Sequence, residues 1–318
     1  MSTALLQVDN LKKYFAVPQG YLHAVDDVSF SIDKAATLGV VGESGCGKTT
    51  LGRVVLRLLD STDGRIVFDG EDVTHVKGAK LKALRKRMQI IFQDPYASLN
   101  PRKTVFQTIS EAMSINGRLS APEIKKRVVE LMDIVGLAQR FVNAYPHELD
   151  GGRRQRIGVA RALSIEPEFI VCDEPVSALD VSIQAQILNL LIDIQTELGI
   201  AYIFITHDLS VVKHISDNII VMYLGQVVEE VASAELFSRQ IHPYTRALLS
   251  AVPVPIVNYD KKRILLKGEI SSPVNPGEGC RFAPRCDYVQ DRCLEEGPEL
   301  REILPRRLAR CHFAERFA

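Results

Sequence analysis

The sequence predicts an α/β fold with a mainly parallel sheet at its core, and three observations carry that prediction. An apolar run, a glycine-rich loop and a helical stretch follow one another over 37–59. Strand-length apolar runs return at 169–173 ("FIVCD"), 201–206 ("AYIFIT") and 218–224 ("NIIVMYL"). A long amphipathic helix separates the first two of these. Buried strands alternating with helices are the pattern of a parallel sheet covered on both faces.

The elements follow in chain order. Residues 1–41 alternate short β-like runs with turns: "LLQVDNLKKYF", "LHAVDDVSFSI" and "TLGVVG". Gly42, Gly45 and Gly47 break the pattern, and "KTTLGRVVLRLL" (48–59) reads as a helix. From about 95 to 165 the chain reads mostly helical, punctuated by Pro95, Pro101, Pro122 and Pro146. Helix 181–198 places Ile187, Leu191, Ile194 and Leu198 on one face. After about 252 the composition shifts. Pro253, Pro255, Pro273, Pro276 and Gly277 mark a linker into a small cysteine-bearing tail. The expected division is a large domain over 1–252 and an extension over 253–318.

Composition narrows the function classes. A chain of 318 residues, 46% hydrophobic and 25% charged, can bury a large core. Its formal net charge is zero, which argues against a nucleic-acid partner. No apolar run approaches the roughly 18–20 residues that span a bilayer. The N-terminal "MSTALLQVDNLKK" lacks the basic start and apolar core of a secretory signal. A cytoplasmic setting is expected, where cysteines serve as thiols or ligands rather than disulfides.

"GESGCGKTT" (Gly42, Glu43, Ser44, Gly45, Cys46, Gly47, Lys48, Thr49, Thr50) fits G-x-x-x-x-G-K-[ST] between a strand and a helix. Such glycines let successive backbone N–H groups point at phosphate oxygens, and the helix start adds its positive end. Lys48 is expected to reach the β- and γ-phosphates, and Thr49 to hold Mg²⁺. "FIVCDEP" ends a buried strand in two carboxylates. Asp173 is placed to hold Mg²⁺, usually through water, and Glu174 to polarise an attacking water.

"GESGCGKTT", "IFQDP", "GGRRQR", "VCDEPVSALD" and "FITHDLS" occur in the order of an ABC-transporter ATPase subunit, and the resemblance covers about residues 5–250. "QDPYASLNPR" (93–102), "HPYTRALLSAVP" (242–253) and the cysteine tail resemble the oligopeptide/dipeptide subfamily. "RQRIGVARAL" and "YASLNPR" resemble its F-type ATPase subunit. The resemblance implies an ABC-type P-loop ATPase domain, with an antiparallel β part and a helical subdomain over about 95–165. It implies that Phe15, rather than neighbouring Tyr14, stacks on adenine. Gln93 would touch Mg²⁺ and couple the site to the membrane partner. Glu174 would be the catalytic base, Ser177–Asp180 would face the opposite subunit, and His207 would contact the γ-phosphate.

The implied assembly is a head-to-tail dimer with a second, D-type ATPase subunit. It would sit on two membrane-spanning permease subunits at the cytoplasmic face of the membrane, served by a solute-binding protein. Peptides are the implied cargo, with oligosaccharide or nickel as alternatives. A soluble ABC ATPase acting on nucleic acid is disfavoured by the single cassette, the absence of a heptad run and the neutral charge.

Two stretches carry sharper expectations. Cys280, Cys286, Cys293 and Cys311 are spaced C-x5-C-x6-C-x17-C. Four thiolates suit tetrahedral Zn²⁺ or a [4Fe–4S] cluster, and spacing alone does not select between them. The resemblance favours a structural [4Fe–4S] cluster. The family's signature L-S-G-G-Q reads "LDGGR" here, with Asp150 and Arg153 flanking Gly151 and Gly152. In the family the serine donates a hydrogen bond to a γ-phosphate held by the opposite subunit. An ionised aspartate only accepts. At about 4 Å two like charges repel by roughly 1 kcal/mol in water and about 4 at an effective dielectric near 20. Asp150 is also a good helix N-cap, and Arg153 can pair with it across one turn. The expected balance is an impaired opposite site.

Overall fold

The computed structural model describes residues 4–116, 119–252, 263–268 and 272–318, so the linker prolines Pro253 and Pro255 lie outside the described residues. The chain forms two compact units, Met1–His75 with Phe204–Ala318, and Val76–Ile203. The division falls within the strand Ala201–Thr206.

In the first unit, the first two β-like runs become the strands Leu6–Val17 and Gly20–Ile32, each about two residues longer toward their shared turn, and they pair as one antiparallel hairpin. Register shifts between Val8 and Leu11, Leu11 and Lys13, and Lys13 and Tyr14 interrupt its alternation. These bulges break the period-two pattern that would advertise a long strand. Asp63–Phe68 and Glu71–Asp72 complete a four-stranded antiparallel sheet. Beside it, Thr37–Val41 is buried at all five residues and runs parallel to Asn218–Tyr223. The helix after the glycine loop is Lys48–Val55, shorter than the expected 48–59. Arg57 adopts a left-handed backbone, φ 55°, and ends it. Its guanidinium is held by Val73 O at 3.1 Å and by Asp60 at 3.0 Å.

The tail builds onto the same unit. Gln226–Ala232 pairs antiparallel with Asn218–Tyr223 on one side and with Arg307–Ala309 on the other. Arg301–Leu304 adds a last strand. The join is pinned by a buried ion pair: Arg307 Nη2 lies 3.1 Å from Glu229, whose carboxylate also accepts the N–H groups of Ile241 and His242 at 3.0 and 2.9 Å. A buried carboxylate is tolerable only when its lone pairs are met in this way.

In the second unit, Met88–Ile91 and Phe169–Asp173 pair in parallel. The expected helical stretch contains Val105–Asn116, Ala121–Ile134 and Gly151–Leu163. Ser120 and Glu123 form a capping box, with Pro122 in the first turn of the helix it punctuates. Helix Val181–Leu198 has the bounds read from sequence and stops at Gly199, φ 66°. Among the described residues no helix is long and apolar enough to cross a membrane.

His242 gives a pH prediction. It is buried, and its Nδ1 accepts the Tyr244 N–H at 3.1 Å as a helix cap. Burial holds its pKa down to about 3, against about 6.5 when unfolded. Above the unfolded value both states are neutral. Below it the unfolded chain takes up a proton that the folded chain refuses. Folding should therefore lose about 2 kcal/mol between pH 7.5 and pH 5 through this group. In urea unfolding at the two pH values, His242→Gln should show a correspondingly smaller loss.

Candidate functional site

The loop 42–50, expected from its sequence to bind phosphate, owes its path to its glycines. Gly42, Gly45 and Gly47 have φ of 153°, 79° and 105°. A Cβ on Gly42 would stand 2.2 Å from Met222 O, and one on Gly47 2.0 Å from Ala24 O. Gly45 meets nothing within 4 Å, so its requirement is conformational alone. Gly47 precedes helix Lys48–Val55, whose first-turn N–H groups face the loop. Lys48 is buried and donates from Nζ to Gly42 O at 2.8 Å and Glu43 O at 3.0 Å, which folds the ammonium over the loop backbone. Ser44 is exposed, and Thr49 and Thr50 are half-buried in the first helical turn. Cys46 is buried, and burial pushes its thiol pKa up, so it acts as packing.

Three other expected positions lie in the same unit. His207 follows strand Ala201–Thr206 and is exposed. Next to it, Asp208 caps the following helix by accepting the Ser210 N–H at 2.7 Å. Tyr14 stacks on His23, centroids 3.9 Å apart, and donates its hydroxyl to Asp26. Phe15 is half-buried, with Lys13 Nζ 4.9 Å from its ring centre.

In the second unit, Asp173 is buried at the end of Phe169–Asp173. Glu174 follows with φ 47°, a conformation that costs a non-glycine residue about 1–3 kcal/mol and turns the chain sharply out of the sheet. Gln93 Nε2 donates to Glu174 Oε2 at 3.0 Å, so two sequence-predicted residues 81 positions apart meet. Ser177 Oγ donates to Glu174 O at 3.1 Å.

Asp150 is the N-cap of helix Gly151–Leu163. Its Oδ1 accepts the Arg153 N–H at 2.8 Å, and Oδ2 lies 2.6 Å from Arg153 Nη1. Both local partnerships expected from sequence are therefore formed. The pair is about half exposed, so its own contribution to stability is small. The glycines have a packing reason too: a Cβ on Gly151 would lie 3.1 Å from Leu179, and one on Gly152 2.7 Å from Ile183. Two further arginines of this helix reach back to "QDPYASLNPR". Arg154 lies over the Tyr96 ring at 3.5 Å, and Arg161 Nη1 donates to Ser98 O at 2.6 Å.

The four tail cysteines converge. Cys280, Cys286, Cys293 and Cys311 line one cavity of about 20 Å³, closed by Phe282 and Phe313 among others. Burial raises the thiol pKa of three of them, Cys280 to about 11. Backbone N–H groups two residues on oppose this: Phe282 on Cys280, Tyr288 on Cys286 and Phe313 on Cys311. The Tyr288 N–H lies 3.4 Å from Cys286 Sγ. Donors aimed at three sulfurs are what thiolate ligands need. Among the described residues no three His, Cys, Asp or Glu side chains are arranged to hold a metal ion.

Sequence reasoning gave no role to Tyr244 or Arg285. Tyr244 Oη accepts the Glu43 N–H at 2.9 Å, and Arg285 grips the Glu43 carboxylate at 2.7 and 3.1 Å. The only signal was the "HPYTRALL" run around Tyr244 itself.

Comparison with known proteins gives consistent matches. The family described as ABC transporter matches residues 25–177, and the family described as Oligopeptide/dipeptide transporter, C-terminal region, matches 228–293. The chain is 49% identical to "Oligopeptide transport ATP-binding protein AppF" of Bacillus subtilis, over 97% of each chain. It is 51% identical to "Putative oligopeptide transport ATP-binding protein YkfD" of the same organism, over 97% of this chain and 95% of that one. Among solved structures it is similar to cbiO1 from Clostridium perfringens, part of the ABC transporter complex cbiONQ. That match has a TM-score of 0.67 and 31% identity, and covers 74% of this chain and 91% of the other. It is also similar to dimeric MJ0796, a bacterial ABC transporter cassette, at TM-score 0.66 and 27% identity, covering 72% and 98%.

The capped geometry of Asp150 yields a stability prediction. Asp150→Ala removes the cap and should cost about 1 kcal/mol in urea unfolding, whereas Asp150→Ser keeps a capping hydroxyl and should stay within about half that.

Proposed function

Because this chain belongs to the oligopeptide/dipeptide family of ABC transporter ATP-binding proteins and hydrolyses ATP to drive transport, we propose that it powers peptide import as one half of an ATPase heterodimer with two unequal ATP sites. Peptide cargo is supported by the two Bacillus relatives named for oligopeptide transport. The proposed partners are a D-type ATPase subunit, two permease subunits and, through them, a solute-binding protein. The proposed location is the cytoplasmic face of the membrane.

Within its own nucleotide site, residues 42–50 wrap the phosphates with backbone N–H groups. Lys48 would neutralise the β- and γ-phosphates, and Thr49, Gln93 and Asp173 would hold Mg²⁺. Bound there, the ion would supply charge neutralisation at the phosphates. Glu174 takes the proton of the attacking water, and His207 holds the γ-phosphate. Phe15 stacks on adenine, a role for which Tyr14 is less suited because His23 and Asp26 already engage it. The observation that carries the catalytic assignment is the Gln93–Glu174 hydrogen bond at the end of a buried strand. It gives the base a partner fixed to the loop that "QDPYASLNPR" continues.

Asp150 and Arg153 act on the nucleotide held by the partner subunit. Asp150 presents an acceptor where a donor is needed, and Arg153 is committed to it at 2.6 Å. Closing on a phosphate would require that pair to open. The nucleotide on this chain's own loop is then the one turned over, and that under Asp150 is slow. Glu174→Gln should lower transport-coupled ATPase activity of the assembled complex by about 10²-fold or more, the scale of a lost general base. Asp150→Ser, which preserves the cap, should leave activity unchanged or raise it. Reduced activity in that variant would give the carboxylate a positive role and end the reading of unequal sites.

For the tail we propose a structural [4Fe–4S] cluster held by Cys280, Cys286, Cys293 and Cys311. Four thiolates around a tetrahedral Zn²⁺ at about 2.3 Å would bring the sulfurs within roughly 4 Å of one another. The support for a shared ligand is that all four cysteines line one cavity. Bound there, the group would cross-link the tail. Anaerobically purified protein should be brown with iron and acid-labile sulfide; stoichiometric zinc without iron would replace the cluster with the Zn²⁺ alternative.

A further inference from the structure

The segment Cys280–Cys286, "CRFAPRC", sends out two arginines, and both end on the nucleotide-binding half of the first unit. Arg285, its side chain 7% exposed, makes a two-pronged ion pair with Glu43 of the phosphate loop at 2.7 and 3.1 Å. Arg281, 9% exposed, pairs with Asp26 and donates to Leu224 O. Asp26 in turn receives the Tyr14 hydroxyl, lies 3.2 Å from His23 Nδ1, and donates its N–H to Gly225 O at 2.8 Å. Between the two arginines Phe282 is buried edge-on against Tyr223, centroids 5.3 Å apart, and tilted against Tyr244, whose hydroxyl accepts the Glu43 N–H.

We propose that this segment is a clamp on the nucleotide site, in which Arg285 is a positioning residue that neutralises Glu43 and so sets ATP affinity. Glu43 is the second residue of a loop built to surround a polyanion. Left unpaired, its carboxylate would face the same phosphates as a like charge. The guanidinium fork cancels that charge and fixes the carboxylate's direction, which a single point charge does less well. Tyr244 holds the same residue by its backbone, so Glu43 is gripped at both ends. Cys280 and Cys286 bracket both arginines. Whatever fixes those two thiols therefore fixes both arms, and loosening the cysteine cavity reaches the phosphate loop.

The proposal rests on the reading of residues 42–50 as the ATP phosphate loop. Equilibrium binding of a fluorescent ATP analogue with Mg²⁺ to the full chain tests the two separately. Lys48→Ala should abolish binding, and tight binding by that variant would remove the loop reading itself. Arg285→Ala should weaken binding about tenfold, the scale of one charge-assisted hydrogen bond. Removing the carboxylate as well, in Glu43→Gln/Arg285→Ala, should restore affinity to within about threefold of the wild type, because no like charge remains. A merely structural arginine would not be rescued in this way. Should Arg285→Ala fail to fold, Arg285→Lys and Arg285→Gln carry the comparison, with Lys the tighter binder. Unchanged affinity in Arg285→Ala, a double variant as weak as the single one, or equal affinity for Lys and Gln would overturn the clamp.

Discussion

The phosphate loop touches neighbouring backbone at sites where only hydrogen fits, and the first unit is organised around those contacts. Gly42 lies against Met222 O and Gly47 against Ala24 O, while Gly225 lies against His23 O with a would-be Cβ at 2.4 Å. Three stretches far apart in sequence thus converge without side chains between them. A loop held so closely presents its N–H groups in one arrangement, so a phosphate bound there as proposed would meet them without reorganisation. The cost is that every neighbour must be held as firmly as the loop. The hairpin Leu6–Val17/Gly20–Ile32 does this for Ala24, and the parallel pairing of Thr37–Val41 with Asn218–Tyr223 does it for Met222.

The C-terminal residues belong to the same scheme. They extend the sheet through Glu229 and Ala309, lock it with the buried Arg307–Glu229 pair, and return to the loop through Tyr244 and Arg285. In the second unit the helix that starts at Asp150 plays the matching part. Its glycines admit Leu179 and Ile183, and Arg154 and Arg161 tie it to the segment beginning at Gln93. Glu174 sits in a left-handed turn with its carboxylate on Gln93, so the proposed base is held by conformation and by a hydrogen bond together.

What could be read in the sequence was local or periodic. Strands Phe169–Asp173 and Ala201–Thr206 announce themselves as continuous apolar runs, and helix Val181–Leu198 by its apolar face and terminal glycine. The phosphate loop is legible because glycine, lysine and threonine must stand at fixed offsets. The two strands of the first hairpin were legible as β-like runs, but its register was not, because bulges interrupt the alternation. The tail's place in the sheet was hidden because Glu229 and Ala309 pair over a distance no pattern marks. Arg285 and Glu43 stand 242 positions apart, and neither residue type signals the other. Asp150 was legible as a cap, since capping depends only on the next three residues.

The proposed inequality of two ATP sites is tested most directly by trapping nucleotide in the assembled transporter under turnover with vanadate, using a photoreactive ATP, and finding which subunit is labelled. Unequal sites predict that trapped ADP labels the phosphate loop of this chain and leaves that of its partner largely unlabelled. Equal labelling of both loops, or labelling confined to the partner, would contradict it.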